Sequence, residues 1–116
     1  MKIHRDALDI LFAKYIKARD KYCQRCGNPS SLQTAHFFGR RNQNTRFDPM
    51  NACLLCFNCH MHFHENPLEF TEWFREHIGY GEFFLLRARA QETGKPDREA
   101  IRLWLKQELK ILEDLR

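Results

Sequence analysis

The residues best suited to chemistry lie in one stretch of the chain. Cys23-x-x-Cys26 is followed by His36, then by Cys56-x-x-Cys59 with His60 directly after it. A Cys-x-x-Cys turn brings two sulfurs to one side of a bend. Two such pairs a few tens of residues apart match a tetrahedral structural zinc site. Cys53 overlaps the second pair, since Cys53-x-x-Cys56 has the same spacing. Cys56 and Cys59 are the better ligands, because the other choice leaves a free thiolate beside His60 and moves the ion into a strand. Cys53 is then a small buried residue. Zinc held by four thiolates has no open position and does no hydrolysis, so a reaction would need a second site.

The histidines supply candidates for that site. His60 and His64 are four residues apart, on one face of a helix, and can reach one divalent ion together. His62 points elsewhere on the same helix. His36 ends one candidate strand and Asn51 opens the next. If the two strands form a hairpin, His36 comes near His60. Asn51 can then hydrogen-bond the intervening loop and fix the imidazole as a general base requires. Residues 36–46 also carry Arg40, Arg41 and Arg46 with no acid among them, a basic loop suited to an anionic partner.

The elements that must hold these residues follow from periodicity. Leu8, Leu11, Phe12, Tyr15 and Ile16 predict a helix over 5–20. Cys23 to Pro29 reads as a tight turn, with Gly27 permitting the bend. Leu32 to Phe38 and Asn51 to Leu55 are short strands, separated by a polar loop over 39–50. Helix resumes near Phe57 and breaks at Asn66-Pro67, with Pro67 in the first turn of the next helix. Leu68, Phe70, Trp73, Phe74 and Ile78 give that helix its apolar face. Gly79 and Gly81 punctuate, 82–92 is helical, and Thr93 to Pro96 stops it. Asp97 is the expected N-cap of a final helix. Its stripe of Ile101, Trp104, Leu105, Leu109, Ile111, Leu112 and Leu115 suits packing within the chain or against a second copy.

The chain has 116 residues and a formal net charge of +4, which leans mildly towards an anionic partner. That length predicts one domain, 1–116, with a core at about 23–66, an N-terminal helix over 5–20 and C-terminal helices over 67–116. Ten Phe, three Tyr and two Trp enrich a core that a metal staple would strengthen. No apolar run approaches the ~20 residues of a membrane span. The charged start MKIHRDALDILFAKY does not read as a signal peptide. The expected location is the cytoplasm, that of a host cell if the gene is carried by a phage, where thiols stay reduced and bind metal.

His36, Asn51 and His60, in this order inside Cys-x-x-Cys … Cys-x-x-Cys-His, resemble the HNH endonucleases of the ββα-metal superfamily. The stretch AHFFGRRNQNTRFDPMNACLLCFNCH is similar to small phage-encoded HNH proteins. Arg46-Phe47, Asn51 and the following Cys-x-x-Cys are similar to the Rap (NinG) recombination nucleases. The resemblance covers about residues 23–64, and more weakly 67–78. It implies an α+β, mostly helical fold: a zinc-stapled ββα-metal core with flanking helices. Cys23, Cys26, Cys56 and Cys59 would hold structural Zn²⁺. His36 would be the general base, Asn51 would position its loop, and His60, with His64, would hold a catalytic Mg²⁺, Mn²⁺, Ni²⁺ or Zn²⁺.

Further expectations follow from the resemblance. The reaction would be hydrolysis of DNA phosphodiesters, with low sequence specificity or a preference for branched DNA. Arg40, Arg41 and Arg46 would contact phosphates. Partners would be DNA and either a second copy or phage recombination or packaging proteins. Many members carry an acid or histidine just before the base, as a metal ligand. Ala35 stands there instead, so the ion would rest on His60, His64, water and the substrate phosphate. The alternative is a non-catalytic zinc module that binds DNA or protein. A redox role for the cysteine pairs fits less well, because no βαβ pattern surrounds them.

Overall fold

A computed structural model describes residues 5–115; Met1–His4, part of the charged start read above, lie outside it. Among the described residues the fold is α+β and mostly helical. Five helices surround a two-stranded antiparallel hairpin that lies beside the four cysteines. The elements are α1 (Ala7–Asp20), β1 (Leu32–His36), β2 (Ala52–Cys56), α2 (Phe57–Glu65), α3 (Pro67–Ile78), α4 (Tyr80–Ala90) and α5 (Arg98–Asp114). No helix among these residues is long and apolar enough to cross a membrane.

The hairpin separates two hydrophobic clusters, and the pleat of β2 serves both. Successive strand side chains point to opposite faces. Cys53 and Leu55 therefore join one cluster with Cys23, Cys56, Cys59, Phe63, Phe74 and Leu86. Ala52 and Leu54 join the other, with Leu8, Phe12, Ile16, Phe47 and Leu105. Every residue of β2 is buried, as expected for a strand covered on both sides. In the first cluster Phe37 stacks on Phe74 with centroids 4.9 Å apart, and Phe63 stacks on Phe70 at 4.9 Å. These rings attach α3 to the hairpin and to α2.

Helix α1 starts at a capping box. The Asp6 carboxylate accepts from the Leu8 and Asp9 amides, and Asp9 accepts from the Asp6 amide at 2.9 Å. The far end of α1 is tied to the hairpin. Arg19 donates to the carbonyls of Pro49 and Ala52, both at 2.8 Å, and Asp20 accepts from the Leu54 amide at 2.9 Å. Asp97 caps α5 as expected, accepting from Ala100 N at 3.0 Å.

Both strands are displaced by a residue or two from their expected bounds. β1 ends at His36 rather than Phe38, because the Phe38 amide is taken by the Asn51 side chain. β2 begins at Ala52 rather than Asn51, because Pro49–Asn51 form a 3₁₀ turn capped by Asp48, which accepts from Met50 N at 3.0 Å. The register pairs Leu32 with Cys56 and His36 with Ala52. α4 begins at Tyr80, two residues early. Gly79 absorbs the whole break between helices at φ +93°, a conformation that L side chains rarely adopt.

Candidate metal centre and cationic cleft

The two Cys-x-x-Cys pairs meet. The sulfurs of Cys23, Cys26, Cys56 and Cys59 all lie within 4.8 Å of one another, and those of Cys26 and Cys56 are 3.7 Å apart. A tetrahedral ion with Zn–S bonds of about 2.3 Å requires sulfur–sulfur edges of roughly 3.8 Å. The pairs are built alike: the second cysteine's amide approaches the first one's sulfur at 3.5 Å in each, Cys26 N to Cys23 and Cys59 N to Cys56. Burial alone would raise the Cys23 pKa, yet the N–H groups converging on its sulfur bring it down to about 6. Cys59, with burial dominant, is pushed up to about 12. A cation among the four sulfurs would favour their thiolate forms. The donor set and its geometry fit zinc. Among the described residues no other group of three or more ligating side chains forms.

Cys53 stays outside the cluster. It is 1% exposed, and burial raises its thiol to about 12, which keeps it protonated and inert. Arg25, inside the first pair, lays its guanidinium over the Phe63 ring and points Nη1 at the Cys59 sulfur, 3.5 Å away. That places a positive charge outside what would be a doubly negative zinc–thiolate group.

His36 and His60 both line one cleft of about 580 Å³ between α1 and the hairpin. His36 Nε2 lies 3.0 Å from the Arg46 carbonyl. A carbonyl only accepts, so Nε2 carries the proton and Nδ1 is left with the lone pair. Burial, assisted by the Arg40 and Arg46 charges, holds the His36 pKa below its ordinary value despite the Arg46 carbonyl and Asp9. Phe12 packs on the ring with centroids 5.5 Å apart.

Asn51 is fully buried and holds the loop after His36 from both sides. Its amide nitrogen donates to Phe38 O at 2.8 Å and Thr45 O at 2.9 Å, and its oxygen accepts from Phe38 N at 2.8 Å. The carbonyl that orients His36 belongs to Arg46, the residue after Thr45. Arg46 itself is not on the cleft wall. It is 6% exposed, and in place of the phosphate expected for it, Asp9 holds its guanidinium through Nε at 3.0 Å and Nη2 at 2.5 Å. An Arg46 turned inward fixes its own carbonyl, and through it His36. Arg40 lines the cleft, 3.6 Å from Asp9, whereas Arg41 is exposed elsewhere.

His60 sits in the first turns of α2, and its Nδ1 hydrogen-bonds the Gln33 side-chain oxygen. Nδ1 is therefore the donor, and Nε2 is the nitrogen free to bind a metal. Burial, with a smaller contribution from the His64 charge, lowers the His60 pKa. His64, one turn on, is exposed, and His62 faces away to pair with Glu69 on α3. Ala35 is 1% exposed within the cysteine cluster's core, so that position offers the cleft no ligand. Gln33 and Asp9 are absent from the sequence-derived candidates. Only the strand register and tertiary packing reveal them.

The Asp9–Arg46 pair carries a stability prediction. Burial would raise the Asp9 pKa, but hydrogen bonds from Arg46 and the Asp6 amide, with the Arg46 and Arg40 charges, hold it below 3.8. Both side chains are under a tenth exposed, and Asp9 supplies the two hydrogen bonds to Arg46, so its removal leaves a buried guanidinium with the half-exposed Asp6 at 3.7 Å in its place. Asp9→Ala should cost about 3–5 kcal/mol in urea unfolding at pH 7. In the parent this contribution is whole above pH 3.8 and fades as pH falls through the lower folded value. A loss under ~1 kcal/mol would mean the pair is screened as at a surface.

No family model, curated protein or solved structure matches the chain.

Proposed function

We propose that this protein is a metal-dependent HNH-type endonuclease that hydrolyses DNA phosphodiester bonds. The observation that carries the reading is that His36 and His60 both line one cleft, edged by Arg5, Lys14, Lys17 and Arg40. His36 is the general base: neutral, with its proton on Nε2 and its lone pair on Nδ1. Asn51 is a positioning residue, acting through the loop backbone. His60, oriented by Gln33, would hold the catalytic divalent ion, assisted by His64 one helical turn on. That ion, Mg²⁺, Mn²⁺, Ni²⁺ or Zn²⁺, would neutralise charge on the phosphoryl group and the leaving 3′-oxygen. Water loses a proton to His36 and attacks phosphorus in line, leaving 5′-phosphate and 3′-hydroxyl ends. The resemblance to phage HNH and Rap nucleases favours low sequence specificity or branched DNA as substrate. One such site makes one nick, so a double-strand break needs a second copy or a second visit.

The buried Ala35 favours a second reading, a zinc module that binds DNA without cutting it. One assay separates the two. Zinc-loaded protein is incubated with supercoiled plasmid and Mg²⁺, Mn²⁺ or Ni²⁺ in turn. Conversion to the nicked circle that depends on the added ion is expected. Retention of DNA with no nicking under any of the three ions would leave only the binding module.

A further inference from the structure

The helix α1 lies outside the stretch that resembles nucleases, yet it forms one whole side of the cleft. Ile10, Ala13, Lys14 and Lys17 line the cleft from α1, with Arg5 just before its start. Spacings of three and four residues put these positions on one helical face. The core face is distinct and is formed by Leu8, Phe12, Tyr15 and Ile16. α1 thus has two working faces, one for the core and one for the cleft.

The cleft side is unbalanced in charge. Four cationic side chains, Arg5, Lys14, Lys17 and Arg40, face one carboxylate, Asp9, and Asp9 is already bound by Arg46. Lys14 and Lys17 are exposed, and neither pairs with a carboxylate among the described residues. Lysines that merely solvate a helix need no common face. Here both stand across a groove from two histidines. The wall is also rigid. Asp9 anchors its first half through Arg46, and Arg19 and Asp20 fasten its end to β2 and to Pro49. A wall held at both ends spares the backbone ordering cost at binding and leaves only that of the lysine side chains.

We infer that α1 is a phosphate-binding wall, on which Lys14 and Lys17 hold a DNA backbone against the hairpin so that one phosphodiester lies between His36 and His60. The inference rests on the nuclease reading for its ligand, but not on cutting. Contacts to phosphate position the strand and carry no base information, which agrees with the absence of Phe, Tyr and Trp among the described cleft residues.

The test is DNA binding by zinc-loaded full-length protein, without added Mg²⁺, Mn²⁺ or Ni²⁺. Fluorescence anisotropy with a labelled duplex is followed from low to high salt. Each neutralised phosphate contributes about 0.9 to the slope of log affinity against log salt. The double variant Lys14→Gln/Lys17→Gln should therefore bind with a slope shallower by about 1.8, and roughly tenfold to a hundredfold more weakly at 0.1 M salt. The control Lys106→Gln/Lys110→Gln, on exposed positions of α5, should keep the parent slope. Circular dichroism and zinc content verify that both variants fold. A parent slope retained in the Lys14/Lys17 variant overturns the inference. So does an equal loss in the α5 control, which would mean non-specific charge attraction, and so does a parent that fails to bind. Steep, α1-dependent binding by a protein that never nicks supports the wall and removes the nuclease reading alone.

Discussion

His36→Ala is expected to slow plasmid nicking by about 100- to 10,000-fold, the usual contribution of a general base, while DNA affinity and zinc content stay at parent levels. The geometry makes this separation of effects possible. His36 contacts the fold through one ring nitrogen, at the Arg46 carbonyl, and through its packing on Phe12. The loop it leans on is held independently by the three Asn51 bonds and by Asp9 on Arg46. Truncation therefore removes a proton acceptor and leaves the cleft standing. The pH profile supplies a second readout. Burial, with the charges of Arg40 and Arg46, keeps the folded pKa below its ordinary 6.5, so the active neutral form persists to lower pH than a solvent-exposed imidazole would allow. The acid limb of activity should lie below pH 6.5 and disappear in the alanine variant. Nicking at the parent rate by His36→Ala would end the assignment of the base.

Loss of zinc should unfold the protein cooperatively. Three of the four cysteines are buried, and Cys23, Cys56 and Cys59 belong to the same hydrophobic cluster as Phe63, Phe74 and Leu86. The metal site is thus part of the core. Zinc binding to structural thiolate sites is worth about 10–16 kcal/mol, and a domain's whole stability only about 5–15 kcal/mol. Cys56→Ser should abolish zinc retention, measured by elemental mass spectrometry, together with the melting transition and the near-ultraviolet dichroism of the packed aromatics. Cys53→Ala should keep the zinc, because that sulfur lies outside the cluster. A Cys56→Ser protein that melted at the parent temperature would show that the ion is ornamental.

The parts of this molecule legible in its sequence are those written in local spacing. The ligand cysteines follow from two turns, and the helices follow from their apolar period, with Asp97 marking the start of α5. Strand ends were less legible because Asn51 supplies side-chain bonds where the ladder would otherwise continue. Arg46 illustrates a harder limit. An arginine in a basic loop reads as a surface charge, and the acid that draws it inward is 37 residues away in sequence. Gln33, 27 residues from His60, is an ordinary polar strand residue until the hairpin register brings it alongside. The cleft face of α1 is of the same kind, since periodicity marks the face a helix buries and is silent about what its other face will meet.

Cys56 ends β2, contributes its sulfur to the metal cluster and serves as the N-cap of α2, where its sulfur accepts from Cys59 N. His60 follows four residues later on that helix. Because each helical residue turns the chain by about 100°, one residue inserted between Cys59 and His60 would swing the imidazole out of the cleft while leaving all four thiolates in place. The direction in which His60 points is thus set by the same turn that carries Cys56 and Cys59.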